Sequence, residues 1–157
     1  MDLKPLVNHL ESLASSRANA QARAQVNEAL SSKWESIRVL GVKVLCAWGD
    51  RKSIESAMAT IANLAAKESR WASVGTMAQT IAPHLRSADA PWVVSVLSHG
   101  AHIDNVVALR VLTDIPDRSA LLCQLEQAAQ QEANERRRTA LSHVYQYAKN
   151  RNAAPEV

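Results

Sequence analysis

A chain of 157 residues can bury one sizeable core, and a hydrophobic content of 47% excludes wholesale disorder. The formal net charge of +3 permits an acidic partner, but the surplus sits mainly in residues 31–70, with seven Lys/Arg against four Asp/Glu, and has not the density of a dedicated nucleic-acid module. Phe is absent, there are only 4 Gly, and Ala, Leu and Val dominate, so the composition favours helix; no alternating run is long enough to propose a sheet.

The N-terminus, Met1-Asp2-Leu3-Lys4-Pro5, lacks the apolar core of a signal peptide, and no apolar run approaches the roughly 20 residues of a membrane span. A cytoplasmic protein is therefore expected. Asp2 is placed to cap a first helix with the stripe Leu3, Leu6, Val7, Leu10, Leu13 and Ala14, and Pro5 is tolerated in its first turn. Ser15-Ser16 breaks that helix. A second, from about Arg17 to Leu30, has a weaker apolar face of Ala22, Val26, Ala29 and Leu30. The pair, residues 1–31, reads as an N-terminal cap.

From Ser32 the chain repeats itself. Ser32-Lys33-Trp34-Glu35-Ser36-Ile37 returns as Ser69-Arg70-Trp71-Ala72-Ser73-Val74, an interval of 37 residues. The stripe Trp34, Ile37, Gly41, Val44, Leu45 and Trp48 recurs as Trp71, Val74, Ala78, Ile81, Ala82 and Leu85, all on one helical face. Repetition at this period points to stacked helical units. Val39, Val42 and Cys46 add a second apolar face, so the first of these helices is expected to have neighbours on both sides. Ser32 and Glu35 have capping-box spacing, Gly49 ends the helix, and Asp50 can cap the next, with the stripe Ile54, Ala57, Met58, Ile61, Leu64 and Ala65.

The second unit is less regular. Its first helix, 70–82, meets Pro83, and a polar loop from Arg86 to Ala90 leads to Pro91, which suits the first turn of a short helix ending at His99-Gly100. In the third, Asp104 can cap a helix carrying Val107, Leu109, Val111 and Leu112; Pro116 turns, and Asp117 caps a helix with Leu121, Leu122, Leu125, Ala128 and Ala129. A last helix over about 132–149 has charged first turns and suits a C-terminal cap, with 151–157 a frayed tail.

Ile37-Arg38 followed by Leu45, then Trp48-Gly49-Asp50, then Ile54 and Met58, resembles the HEAT-repeat family, and within it the short HEAT-like subtype. There a Val-Arg pair opens the first helix and Gly-Asp turns into the second; the subtype's usual Pro after that Asp is Arg51 here. The resemblance is closest over 32–66, looser over 69–98 and loosest over 103–130. It implies an all-α fold: a right-handed α-solenoid of stacked antiparallel helix pairs, about nine helices, with a cap over 1–31, repeats over about 32–68, 69–100 and 101–131, and a cap helix over 132–150. It also implies that Arg38 links neighbouring repeats and that the second helix of each pair lines a concave face.

No P-loop, dinucleotide fingerprint, zincin motif or nucleophile elbow occurs, and no cofactor is implied. His99 and His102 are three apart but separated by Gly100 at a helix end, and no local Cys or carboxylate completes a metal site. Cys46 and Cys123 each fall in an apolar pattern and read as buried hydrophobes. Glu132 and Glu135 can offset part of the run Arg136-Arg137-Arg138, which is read as a solvated capping face or as a phosphate or acidic-partner contact. Trp34, Trp48 and Trp71 read as packing residues; Trp92, beside Pro91, is either packing or a binding anchor. The expected function is therefore a non-enzymatic interaction module for a protein or peptide. The candidate contacts are Arg51, Lys52, Glu55, Trp92 and Arg118, with Ser56, Gln124 and Gln127 beside them. The alternative is nucleic-acid binding, similar to the HEAT-like alkylpurine DNA glycosylases, although no Trp has an Asp one helical turn later to form a base-handling site. The HEAT-like bilin lyases are a third relative, but no residue here can be matched to their activity.

Overall fold

The computed structural model describes residues 2–67, 72–99 and 103–152, and among these all regular structure is helical. The helices are α1 (Lys4–Leu13), α2 (Ala20–Leu30), α3 (Glu35–Trp48), α4 (Arg51–Lys67), α5 (Ala72–Ile81), α6 (Ala90–Ser98), α7 (Ile103–Ala108), α8 (Ser119–Gln131) and α9 (Glu135–Asn152). Three short 3-10 segments, Ala82–His84, Ser87–Asp89 and Arg110–Thr113, lie between them.

Local chemistry sets most of the boundaries. The Asn19 side chain accepts the Ala22 N–H at 2.8 Å and starts α2. Gly49 ends α3 with φ +73, a left-handed conformation that glycine adopts without a Cβ penalty. Asp50 accepts from the Ser53 N–H and hydroxyl at the start of α4, and Asp117 accepts the Ser119 N–H at 3.0 Å before α8. The Ser32–Glu35 capping box does not form: α3 starts at Glu35, and the Ser32 hydroxyl accepts the Trp34 N–H instead. The helix expected through Ile115 is interrupted, because α7 stops at Ala108 and the chain tightens into a 3-10 turn. Of the expected tail, Arg151 and Asn152 belong instead to α9, and 153–157 lie outside the described residues.

α3 is the centre of the N-terminal half and packs on α1, α2, α4 and α5. Its two apolar faces explain this: Ile37, Val44 and Leu45 are buried on one, Val42 and Cys46 on the other. Gly41 admits the closest approach, as a Cβ there would lie 2.8 Å from Leu30 Cδ2 of α2. The equivalent stripe of the second copy, Val74, Ala78, Ile81, Ala82 and Leu85, is buried throughout. Further on, α4 packs on α5 and α6, α6 on α8, and α9 on α7 and α8.

Three packing expectations are corrected. Trp34 lies just ahead of α3, with 41% of its surface exposed and Lys33 Nζ over its ring at 5.1 Å. It stands before the first helical turn, so it cannot follow the stripe inward. Its counterpart Trp71 lies outside the described residues. Leu6 is 42% exposed, because α1 is the outermost helix and packs chiefly on α3. Cys123 is exposed on α8, whose buried face is Leu121, Leu125 and Ala129.

Candidate functional site: a groove between two parallel helices

α2 and α4 both lean on α3, and a groove remains between them. Its first part, about 260 Å³, is lined by Arg23 and Asn27 of α2, Lys52 and Ser56 of α4, and Leu45 of α3 as a floor. Its second part, about 330 Å³, takes Asn27 and Leu30 from α2 and Ala59, Thr60 and Asn63 from α4. Residue numbers rise together along the two walls, so α2 and α4 run in the same direction.

Helical spacing accounts for both walls. Ala20, Arg23, Ala24 and Asn27 lie on one face of α2, while Ala22, Val26 and Ala29 are buried on another. Lys52, Ser56, Ala59, Thr60 and Asn63 likewise share a face of α4, opposite Ile54, Ala57, Met58 and Ile61. The lining is largely small, with Ala20, Ala24, Ser56 and Ala59, and too short to close the gap.

The polar groups differ in their freedom. Ser56 and Thr60 turn their hydroxyls to the carbonyls of Lys52 and Ser56, at 3.1 and 2.9 Å. Asn27 and Asn63 are exposed, and among the described residues their amides make no hydrogen bond. Arg23 is held in place: it donates to Asp50 at 3.2 Å and to Ser53 Oγ at 3.0 Å, and covers the Trp48 ring at 5.4 Å. The Ser53 hydroxyl bond, then the Ser53 N–H and Arg23, outweigh burial and keep the Asp50 carboxyl below its ordinary range. Lys52 makes no ion pair among the described residues, so the N-terminal end of the groove is cationic and the rest is neutral amide and hydroxyl.

The residues expected to bind a partner do not gather in one place: only Arg51 and Glu55 are in contact. Arg51 donates two bonds to the buried Asp89 carboxylate and a third, at 3.3 Å, to Glu55. Burial alone would raise the Asp89 carboxyl. The bonds from Arg51, the Arg86 N–H at 2.8 Å and the two guanidinium charges outweigh it and hold Asp89 below its ordinary value. Arg118 is similarly engaged, donating to the Thr113 carbonyl at 2.9 Å and lying 3.6 Å from Asp114. Trp92 is half-buried against the core of α6, and its Nε1 is shielded with no partner among the described residues. Only Lys52 lies in the groove, with Ser56 beside it; Gln124 and Gln127 are on the distant α8.

Arg51–Asp89 belongs to a series of contacts joining segments near helix ends that are 27 to 38 residues apart in the chain. Arg23 reaches Asp50, Arg51 reaches Asp89, the Asp117 N–H donates to Ser87 Oγ at 2.8 Å, and Arg151 donates to Asp114 at 2.7 Å. Arg38 Nη1 donates to the Ser32 carbonyl just ahead of its own helix at 2.9 Å. In the arginine run, Arg137 donates to the Ser98 carbonyl at 3.3 Å and Arg138 to the Glu132 carbonyl at 3.1 Å, so these two brace helix ends. His99 Nδ1 lies 2.8 Å from the Ser95 carbonyl oxygen, and His102 is outside the described residues. Among the described residues no three His, Cys, Asp or Glu side chains gather as a metal site, and no helix is long and apolar enough to cross a membrane.

Spacing on α2 and α4 could have found Asn27, Thr60 and Asn63, since they continue the faces that carry Arg23 and Lys52. The cleft in front of α1, about 510 Å³ and lined by Leu6, His9 and Glu28 among others, had no comparable signal. Comparison of the chain with known protein families, with characterised proteins and with solved structures finds no match.

Proposed function

We propose that the chain is a non-enzymatic interaction module: a short right-handed HEAT-like α-solenoid that holds a peptide segment of a protein partner between α2 and α4. The observation that carries this reading is the groove itself, with an apolar floor at Leu45 and, among the described residues, unpartnered amides at Asn27 and Asn63 and an unpaired cation at Lys52. A side-chain amide carries one acceptor and two donors, the complement of a peptide group. Lys52, beside the N-terminal ends of α2 and α4, favours an acidic residue at that end of the ligand. The stacked reading is supported by the parallel course of α2 and α4, by the 37-residue repeat and by the contacts between segments near helix ends. The groove is a poor phosphate track, since its other cation, Arg23, is already shared with Asp50.

The test is selection from a random peptide display library, followed by titration of an enriched peptide. Ala59→Arg, which fills the groove, and Lys52→Glu should each weaken binding by at least about tenfold, or about 1.4 kcal/mol. Failure to enrich any peptide, or equal affinity for both variants and the parent, contradicts the reading.

A further inference from the structure

A second cluster lies on α9, away from the groove. Arg110, from the 3-10 turn after α7, places its guanidinium 4.8 Å from the centre of the Tyr147 ring and its Nη1 3.2 Å from His143 Nε2. Arginine has no acceptor, so His143 must present a lone pair at Nε2. Arg151 approaches the same Tyr147 ring at 5.3 Å. One turn and more toward the start of α9, a cleft of about 440 Å³ is lined by Arg136, Glu135, Thr139 and His143, with Val107 across it.

The partners of these cations decide the reading. Arg110 is held by two neutral groups, an aromatic face and an imidazole, which fix its position and leave its charge uncompensated. Among the described residues neither Arg110 nor Arg136 has a carboxylate within ion-pair distance, although Glu135 lines the same cleft. Arg151 shares Asp114 with Arg118. An exposed guanidinium positioned in advance loses less freedom when it binds an anion.

Arg136, His143, Tyr147 and Arg151 fall on one stripe of α9, so the cations span roughly 22 Å at 1.5 Å per residue. That is long for a single small anion. A nucleic-acid strand carries a charge at every step of about 3.4 Å, so some phosphate always lies opposite each arginine. An acidic polypeptide does so only when its carboxylates fall in register. The Tyr147 ring is already engaged by two guanidiniums, which favours backbone contact over base stacking.

We propose that Arg110 and Arg136, with the Asp114-paired Arg151 at the far end of the stripe, form a strip that binds the phosphate backbone of a nucleic acid without reading its sequence, at a site independent of the peptide groove. Fluorescence anisotropy of a labelled mixed-sequence duplex of about 20 base pairs tests this over a salt series. The two arginines without a carboxylate partner predict a slope of log K against log salt of about −1.8, and Arg110→Gln or Arg136→Gln should each make it shallower by about 0.9. Lys43→Gln, on α3, should leave it unchanged. Should Arg110→Gln perturb the fold, as circular dichroism would show, Arg136→Gln carries the test alone, because Arg136 supports no other side chain. No binding at low salt, unchanged slopes in the arginine variants, or an equal loss in Lys43→Gln overturns the proposal. So does displacement of the duplex by polyglutamate at matched charge, which would make the strip a site for acidic protein. A single strand of the same length with a slope reduced to about −0.7 per contact supports it.

Discussion

Arg51 at the start of α4 grips the carboxylate of Asp89, 38 residues further along the chain, through two guanidinium N–H bonds. The Asp89 side chain keeps only 4% of its exposure and the Arg51 side chain 30%, so the pair is half in the core. Asp89→Ala would leave a partly buried cation unpaired and should destabilise the chain by roughly 2–3 kcal/mol, below the cost for a fully buried pair. Denaturant unfolding of the two proteins at neutral pH measures it, and a loss under about 0.5 kcal/mol would mean that the pair is a solvated contact.

The same pair has a pH signature. Its partners hold Asp89 below its ordinary pKa in the folded state, so the folded chain binds this proton less readily than the unfolded one. The stabilisation is therefore present above the unfolded value near about 3.9 and lost as pH falls through the folded one. The stability gap between parent and Asp89→Asn should be steady well above about pH 4 and narrow as pH falls below it. A difference that grows on acidification would reverse the sign and refute the assignment.

Ile81 and Trp34 test which residues of the repeated stripe bear load. Ile81 is fully buried and Trp34 is 41% exposed. Ile81→Ala should cost about 2–5 kcal/mol, whereas Trp34→Ala should cost less than about 1 kcal/mol despite its larger size. Matching losses in chemical denaturation would put Trp34 back in the core.

The two thiols should separate cleanly. Cys46 is buried in α3, and burial raises its pKa to about 11, so very little thiolate exists at neutral pH. Cys123 is exposed on α8. A thiol-reactive probe should label one cysteine in the folded chain and both in denaturant, with mass mapping assigning the native adduct to Cys123. Rapid native labelling of Cys46 would show that α3 opens.

Much of the helical framework was legible because period and burial agree. The spacing of Ile37, Val44, Leu45 and Val74, Ala78, Ile81 gives both the helices and their buried faces, and Gly49-Asp50 marks a turn by its own chemistry. The misses have specific causes. Ser32 and Glu35 satisfy the capping spacing, but the helix starts two residues later, which also strands Trp34 outside. Cys123 sits among Leu121, Leu122 and Leu125, and only the phase of α8 decides that it points outward. For the binding residues, composition shows that Arg51 and Arg118 are charged but not that Asp89 and Asp114 lie within reach. Arg110 and Tyr147 are 37 residues apart, so their stack could not be read from local pattern.

The central claim is that a peptide lies between α2 and α4. Amide chemical-shift mapping with a selected peptide tests it most directly. The expected result is a continuous set of shifts over residues 23–31 and 52–64, strongest near Asn27, Lys52 and Asn63, with α8 and α9 unmoved. Shifts centred on α9, on the cleft before α1, or spread evenly over the chain would contradict it.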